Sequence, residues 1–211
     1  MKVIRNVNET LKDDLALELQ KGSMLSIVAA DFSMYAFEAL RKELSEIEEL
    51  RFIFTDPTFI QKENSKKEKR EFYIPKINRE RRIYGTEFEV KLRNELNQKA
   101  IAKECAEWIK KKVTFKSNVG NKEITDRFIV LNDIAYYTVN SFTTVDLGCE
   151  QGNNMGVNIL KLESPASQAF IEQFAKLWQN EEELKDVTNN VISSISSAYN
   201  ENAPEFIYFV T

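Results

Sequence analysis

The segment "RFIVLNDIAYYTVNSFTTVDLG", residues 127–148, decides the fold. It contains two runs rich in β-branched and aromatic residues, "FIVLND" and "AYYTVNS", and the pair Asn132-Asp133 marks a tight acidic turn. Runs of this composition around such a turn predict two strands. A polar segment, "NSFT…LG", follows the second strand and leads into the glycine-containing loop "LGCEQGNNMG".

A β-α-β pattern lies upstream of this segment. The stretches "MLSIVAA" (24–30) and "ELRFIFT" (49–55) have the length and composition of strands. Asp31 or Ser33 can cap a helix between them. The apolar residues of that helix follow the 3.6-residue period; they are Ala36, Phe37, Leu40, Leu44 and Ile47. The pattern favours two neighbouring parallel strands joined by a right-handed crossover.

The rest of the chain predicts more helices and one further strand. We expect a long helix over 86–111, a strand over 113–117, a helix opened by Ser164-Pro165 that runs to Trp178, and a helical stretch over 184–200. The predicted fold class is α/β, a mixed β-sheet flanked by helices, with a helical C-terminal part. The predicted division is residues 1–160 for the α/β domain and 161–211 for the helical segment.

Composition places the chain among globular proteins. Of its 211 residues, 43% are hydrophobic and 29% are charged. It contains no apolar run of about 18 residues and no signal-peptide pattern, so we expect a cytoplasmic protein without membrane contact. Cys105 and Cys149 predict two reduced structural thiols, because two cysteines without histidine do not make a zinc site.

Positive charge is concentrated in residues 61–82. This segment holds nine Lys/Arg and four Glu, or 9 − 4 = +5, so the rest of a chain of net charge −4 carries −4 − 5 = −9. Aromatic residues interleave the basic ones, which is typical of surfaces that bind nucleic acid. The predicted nucleic-acid-binding residues here and at the end of the long helix are Lys66, Lys67, Lys69, Arg70, Lys76, Arg79, Arg81, Arg82, Lys110, Lys111 and Lys112.

Several kinds of catalysis are excluded because the chain contains no histidine. Neither Ser-His-Asp hydrolysis nor a phosphohistidine intermediate can occur within it. The glycines at 148, 152 and 156 lack the Lys-Ser/Thr ending of a phosphate-binding loop, so no ATP site is predicted. A magnesium site would need carboxylates, and the spacing singles none of them out; the candidates are Asp31, Asp56, Glu71, Glu87 and Glu89.

The segment "AYYTVNSFTTVDLG" (135–148) resembles the "AYIGSSNFTSAGLG" pattern of phospholipase D–like domains. Nearly the whole chain, residues 2–211, is similar to one branch, the N-terminal phospholipase D–like region of bacterial superfamily II DNA helicases (DEAD/DEAH-box, Snf-like). The matching blocks are "LRFIFTDPTF", "KREFYIPKINRERRIYGTEFEVKLRNELNQKAIAKECAEWI", "SFTTVDLG" and "APEFIYFVT". The resemblance also agrees with an apolar tail that reads as cut from a longer protein.

The resemblance implies a degenerate active site. An active member carries His-x-Lys followed five residues later by Asp, and these positions are Thr125, Arg127 and Asn132 when the turn is shortened. In the ungapped alignment they are Ile124, Asp126 and Leu131. The later Gly-Ser-x-Asn element corresponds to residues 138–141, where Asn140 and Ser141 keep polar groups. Neither alignment supplies a nucleophile, and Arg127 with Asn140 and Ser141 could retain an anion-binding pocket.

The function that follows is a non-catalytic accessory domain of a DNA helicase. It would bind or position DNA or dock on the ATPase motor, while ATP and Mg²⁺ would belong to that downstream motor and not to this chain. Two alternatives stay open. One is a metal-dependent nuclease that uses carboxylates, and the other is a protein-interaction or homodimerisation module without DNA binding.

Overall fold

A computed structural model describes residues 1–56, 95–119, 123–150 and 158–197. Eight strands form one mixed sheet in the order β1–β7–β6–β5–β2–β3–β4–β8. The strands are β1 (Lys2–Ile4), β2 (Met24–Ala29), β3 (Glu49–Phe54), β4 (Val113–Asn118), β5 (Phe128–Leu131), β6 (Ile134–Tyr137), β7 (Ile159–Leu162) and β8 (Leu184–Asp186). The helices are α1 (Leu11–Glu18), α2 (Met34–Ala39), α3 (Arg41–Glu46), α4 (Glu95–Lys112), α5 (Gln168–Trp178) and α6 (Thr188–Ser197). The expected α/β class with a mixed sheet and flanking helices is confirmed.

Parallel strands form the centre of the sheet. β3 lies between β2 and β4 and is parallel to both, so the predicted β-α-β arrangement of the first two is confirmed. β5 runs antiparallel to β2 and begins a meander through β6 and β7 to β1. At the other end of the strand order, β8 pairs antiparallel with β4 and is the last strand of the sheet.

The sheet buries a different apolar set on each face. Alternation along β3 places Phe52 and Phe54 in the larger core and Ile53 in the smaller one. Helices α1, α2, α3, α4 and α6 contribute to the larger core, on what we call the first face. Helix α5 covers the second face, where Phe174 is buried against the strands. The central strands are therefore apolar on both sides, as parallel strands usually are.

Three local predictions are wrong. The expected helix through Leu40 and Ile47 is two short helices, because Leu40 leaves helical geometry with φ −119 and ψ 19. The first part of the stretch 184–200 is not helical, since Leu184–Asp186 pairs with β4 as an edge strand. The helix after Pro165 begins at Gln168, with Ser167 at its N-cap position, so Pro165 lies in the preceding turn.

Three elements were not predicted at all: β1, α1 and β7. β7 spans residue 160, and β8 belongs to the same sheet, so residues on both sides of the predicted boundary share one sheet. A purely helical C-terminal part is not confirmed for the described residues 161–197. Of the helices in the described ranges, none has the length and apolar content needed to cross a membrane.

Candidate functional site

Polar residues gather at one edge of the sheet, where the carboxyl ends of β2, β3 and β4 meet. Asp31 follows β2, Asp56 follows β3, and Asn118 ends β4. β5 is antiparallel to β2, so it begins at this edge, directly after Arg127. β6 is antiparallel to β5 and therefore ends at the same edge. We call it the carboxyl edge. Open α/β sheets bind their ligands at this position.

A short connection, Thr138–Phe142, crosses the carboxyl edge. It leaves β6 and reaches β2, where the Ala30 amide donates to the Asn140 carbonyl at 3.0 Å and the Phe142 amide donates to the Asp31 carbonyl at 2.8 Å. In the sheet β5 lies between β6 and β2. The connection must therefore pass over the start of β5, next to Arg127. Phe142 anchors it by stacking on Phe32, with ring centroids 6.0 Å apart.

Arg127 is a partly enclosed cation, and none of the residues that the structure describes pairs with it. Arg127 precedes Ile129 by two residues, and side chains two apart in an extended chain lie on the same face of a sheet. Arg127 is therefore on the first face, where Phe142 and Val139 of the crossing connection are also buried. Its Nε atom is buried and makes no hydrogen bond. No carboxylate forms an ion pair with Arg127 within the described part of the chain. A buried donor without a partner costs free energy, and an anion beside the guanidinium would offset that cost.

The other predicted residues on this edge differ in their capacity for a ligand. Ser141 is 7% exposed, and its hydroxyl donates to Oδ2 of Asp31 at 2.8 Å, so that proton is already used. Asn140 is exposed on the crossing connection. Thr125 is exposed two residues before Arg127. The groups that remain able to meet a ligand beside Arg127 are therefore the Asn140 amide and the Thr125 hydroxyl.

Two further strands place polar groups on the carboxyl edge. The Ser117 hydroxyl donates to the Asp56 carbonyl at 3.2 Å, and the Asn118 amide donates to the Thr55 carbonyl at 3.3 Å. Thr55 is 2% exposed, and its hydroxyl has no hydrogen-bond partner. Thr55 follows Ile53 by two residues in an extended chain, so both lie on the second face. Thr55 is therefore on the opposite side of the sheet from Arg127.

Asn132 lies at the opposite edge. It occupies the turn between β5 and β6 with φ 53, and its Oδ1 accepts a 2.9 Å hydrogen bond from the Met24 amide at the start of β2. Five residues of extended chain separate it from Arg127, or roughly 16 Å. The three residues of the ungapped alignment do not come together either. Ile124 packs in the second-face core, Asp126 accepts from Gln173 at 2.9 Å, and Leu131 is buried on the first face.

The predicted lysines of α4 also lie away from Arg127. α4 ends where β4 begins, at the edge opposite the carboxyl edge. Lys110 pairs with Glu107 at 2.7 Å, and Lys112 donates to the Ile47 carbonyl at 2.5 Å. Lys110 and Lys111 are both exposed. The other predicted nucleic-acid contacts lie outside the described residues; they are Lys66, Lys67, Lys69, Arg70, Lys76, Arg79, Arg81 and Arg82.

The carboxylates considered for a magnesium site lie partly on the carboxyl edge and partly outside the described residues. Asp31 and Asp56 lie on the carboxyl edge, whereas Glu71, Glu87 and Glu89 fall outside the described residues. Within residues 1–56, 95–119, 123–150 and 158–197, no three carboxylate, thiol or imidazole groups are arranged to hold a metal ion.

Neither Cys105 nor Cys149 forms a disulfide bond within the described residues. Cys105 is buried in the first-face core, and its burial raises the pKa of the thiol well above its usual range. Cys149 is exposed after Gly148. The prediction of two reduced structural thiols stays a prediction.

No protein-family model matches the sequence, and a search of curated proteins finds no match.

Proposed function

We propose that this chain is a non-catalytic α/β domain that binds the phosphate backbone of DNA at its carboxyl edge. The observation that supports this proposal is Arg127, a half-buried guanidinium whose Nε has no partner. Since a buried guanidinium nitrogen without a partner costs free energy, an anion from outside the described chain would stabilise this position.

A phosphate group suits the chemistry of this position. The planar guanidinium presents parallel N–H donors that match two phosphate oxygens. Asn140 on the crossing connection and Thr125, two residues before Arg127 in the chain, are exposed and would add an amide donor and a hydroxyl donor. None of these groups requires a base edge, so we expect binding that depends little on DNA sequence.

The non-catalytic part of the proposal rests on the residue types. The chain contains no histidine, and the Ser141 hydroxyl is bound to Asp31. The resemblance to phospholipase D–like domains gives the same picture, because Thr125 and Arg127 stand where that family has His and Lys. On this reading the fold is a degenerate phospholipase D–like domain and its partner in the same polypeptide is an ATP-driven helicase motor.

Fluorescence anisotropy tests the proposal. The chain is titrated into labelled single- and double-stranded DNA at several salt concentrations, beside the variants Arg127→Gln and Arg41→Gln. Arg41 is a matched control, because it lies on α3 and pairs with Glu104 at the surface. We expect binding that weakens steeply with salt and that Arg127→Gln weakens while Arg41→Gln does not.

The same mixtures, incubated with Mg²⁺ and run on a gel, separate the alternatives. Cleavage that a chelator abolishes would establish the metal-dependent nuclease instead. No binding at low salt, together with a defined oligomer in light scattering, would establish the interaction module. Equal binding by wild type and Arg127→Gln would move the DNA contact away from the carboxyl edge.

A further inference from the structure

Two lysines face each other at one end of the sheet. Lys2 in β1 lies directly opposite Lys161 in β7, and Tyr136 in β6 is the next residue in the same row. Like charges directly opposite on neighbouring strands are unfavourable. The pairing of β1 with β7 therefore needs a group that neutralises the two ammonium groups.

Asp14 of α1 provides this group. Its Oδ2 accepts a 2.8 Å hydrogen bond from Lys2, while its Oδ1 lies 2.7 Å from the Nζ atom of Lys161. One carboxylate thus joins both lysines across two strands. Further carboxylates face the same pair, because Glu9 bonds Lys2 and Glu18 lies 2.7 Å from Lys161.

Besides this network, β1 is held by Ile4 in the first-face core and by Asn6, which follows the strand and donates to the Asp146 carbonyl at 2.8 Å. The strand has three residues and pairs with one neighbour, β7. Of its side chains only Ile4 is buried, and Val3 is 43% exposed. Short segments with few buried apolar contacts are the parts of a protein that open locally at low free energy.

We propose that β1 is a detachable end strand and that Asp14 is the clamp that holds it on β7. When the Lys2–Asp14 bond is lost, β1 leaves the sheet as a unit. Lys161 stays buried on the sheet, because Asp14, Glu18 and Tyr136 surround it. Opening therefore exposes the backbone groups of β7 that face β1 and leaves β5 and β2 protected. The clamp lies at the far end of the sheet and is independent of the proposed DNA contact.

Amide hydrogen exchange tests the clamp on the whole chain. Lys2→Met removes the charge and keeps the length of the side chain, and Lys21→Met is the matched control on an exposed turn. We expect Lys2→Met to speed exchange in β1 and in the β1-facing amides of β7 by roughly 2- to 5-fold. Amides of β2 and β5 keep their wild-type rates, as do all amides in Lys21→Met.

Wild-type protein provides a second measurement, which does not depend on a variant. Because Lys2 is 43% exposed, dissolved salt screens its bond to Asp14, and β1 should exchange faster as NaCl is raised while β2 does not. The proposal is overturned if Lys2→Met leaves the exchange of β1 unchanged. It is equally overturned if β1, β2 and β5 speed up together, since β1 would then open only with the whole sheet.

Discussion

The Nζ atom of Lys161 in β7 lies 2.7 Å from Oδ1 of Asp14 in α1, and both side chains are more than nine-tenths buried. The same carboxylate oxygen accepts a 2.7 Å hydrogen bond from the Tyr136 hydroxyl, and Oδ2 binds Lys2. Lys161, Tyr136 and Lys2 thus all bind the carboxylate of Asp14. The network fixes α1 over the β6–β7–β1 end of the first face.

The first prediction concerns the stability of this network. Asp14→Asn leaves the buried Lys161 with Glu18 as its remaining carboxylate, and we expect a loss of about 2–3 kcal/mol in the free energy of unfolding. Lys161→Met should cost less, because Lys2 and Tyr136 still satisfy Asp14. Urea unfolding followed by circular dichroism measures both values.

The double variant Asp14→Asn/Lys161→Met completes the cycle. We expect it to be more stable than Asp14→Asn alone, since no uncompensated charge stays buried. If the two single losses simply add, the ion pair is not coupled and the network does not act as one unit.

The second prediction is a pH dependence. Burial acts to raise the pKa of Asp14, but hydrogen bonds from Lys161, Lys2 and Tyr136 outweigh it, so the pKa of the folded state is below its usual range. The stability that Asp14 contributes is therefore present above its unfolded pKa of about 3.9 and is lost as pH falls through the folded pKa. Unfolding free energies measured from pH 7 down to acid should fall less steeply for Asp14→Asn than for wild type.

Lys161 has the opposite sign. Burial acts to lower its pKa, while hydrogen bonds to Asp14 and Glu18 raise it above its usual range. Its contribution is present below the unfolded pKa of about 10.4 and is lost as pH rises through the folded pKa. If the free energy of unfolding falls equally steeply towards acid pH in wild type and in Asp14→Asn, the charge assigned to Asp14 is contradicted.

The third prediction concerns the turn that joins β5 and β6. Asn132 has φ 53 and binds the Met24 amide and the Ser23 hydroxyl through its side chain. Asn132→Gly keeps the backbone conformation and loses these bonds, which should cost about 1 kcal/mol. Asn132→Ala also places a Cβ-bearing residue without a polar side chain in the left-handed region, which adds about 1–2 kcal/mol. Thermal or urea unfolding ranks the variants, and an alanine variant more stable than the glycine variant would refute the argument.

The hairpin and the β-α-β unit are predictable from sequence because their signals are local. The runs in β2, β3, β5 and β6 carry their own apolar pattern, and the turn between β5 and β6 has its own polar residues. β1 and β8 have three residues each, which is too short for a period to show. β7 has four residues, as β5 and β6 do, but a lysine, Lys161, takes one of its two buried positions. Their strand conformation depends on neighbours that the sequence alone does not identify.

The candidate site was predictable only in part for the same reason. The connection that carries Asn140 and Ser141 crosses the start of β5, which follows Arg127, and that path depends on the strand order. The Asp14 network, which was missed, did leave a signal. Asp14 stands between Leu11 and Leu15 on the buried side of α1, where a charged residue is unusual. Lys161 likewise follows the inward-facing Ile159 by two positions in a strand.

The last prediction separates charge from geometry at Arg127. Arg127→Lys keeps one positive charge but loses the planar pair of donors, so it cannot bind two phosphate oxygens at once. We expect Arg127→Lys to bind DNA more weakly than wild type with a nearly unchanged salt dependence. Arg127→Gln should bind more weakly still, and its slope of log K against log salt should be lower by about 1. Anisotropy titrations at four or more salt concentrations give the slopes. If the lysine variant equals wild type in both affinity and slope, Arg127 acts as a simple surface charge, and its burial beneath the Thr138–Phe142 connection plays no part in recognition.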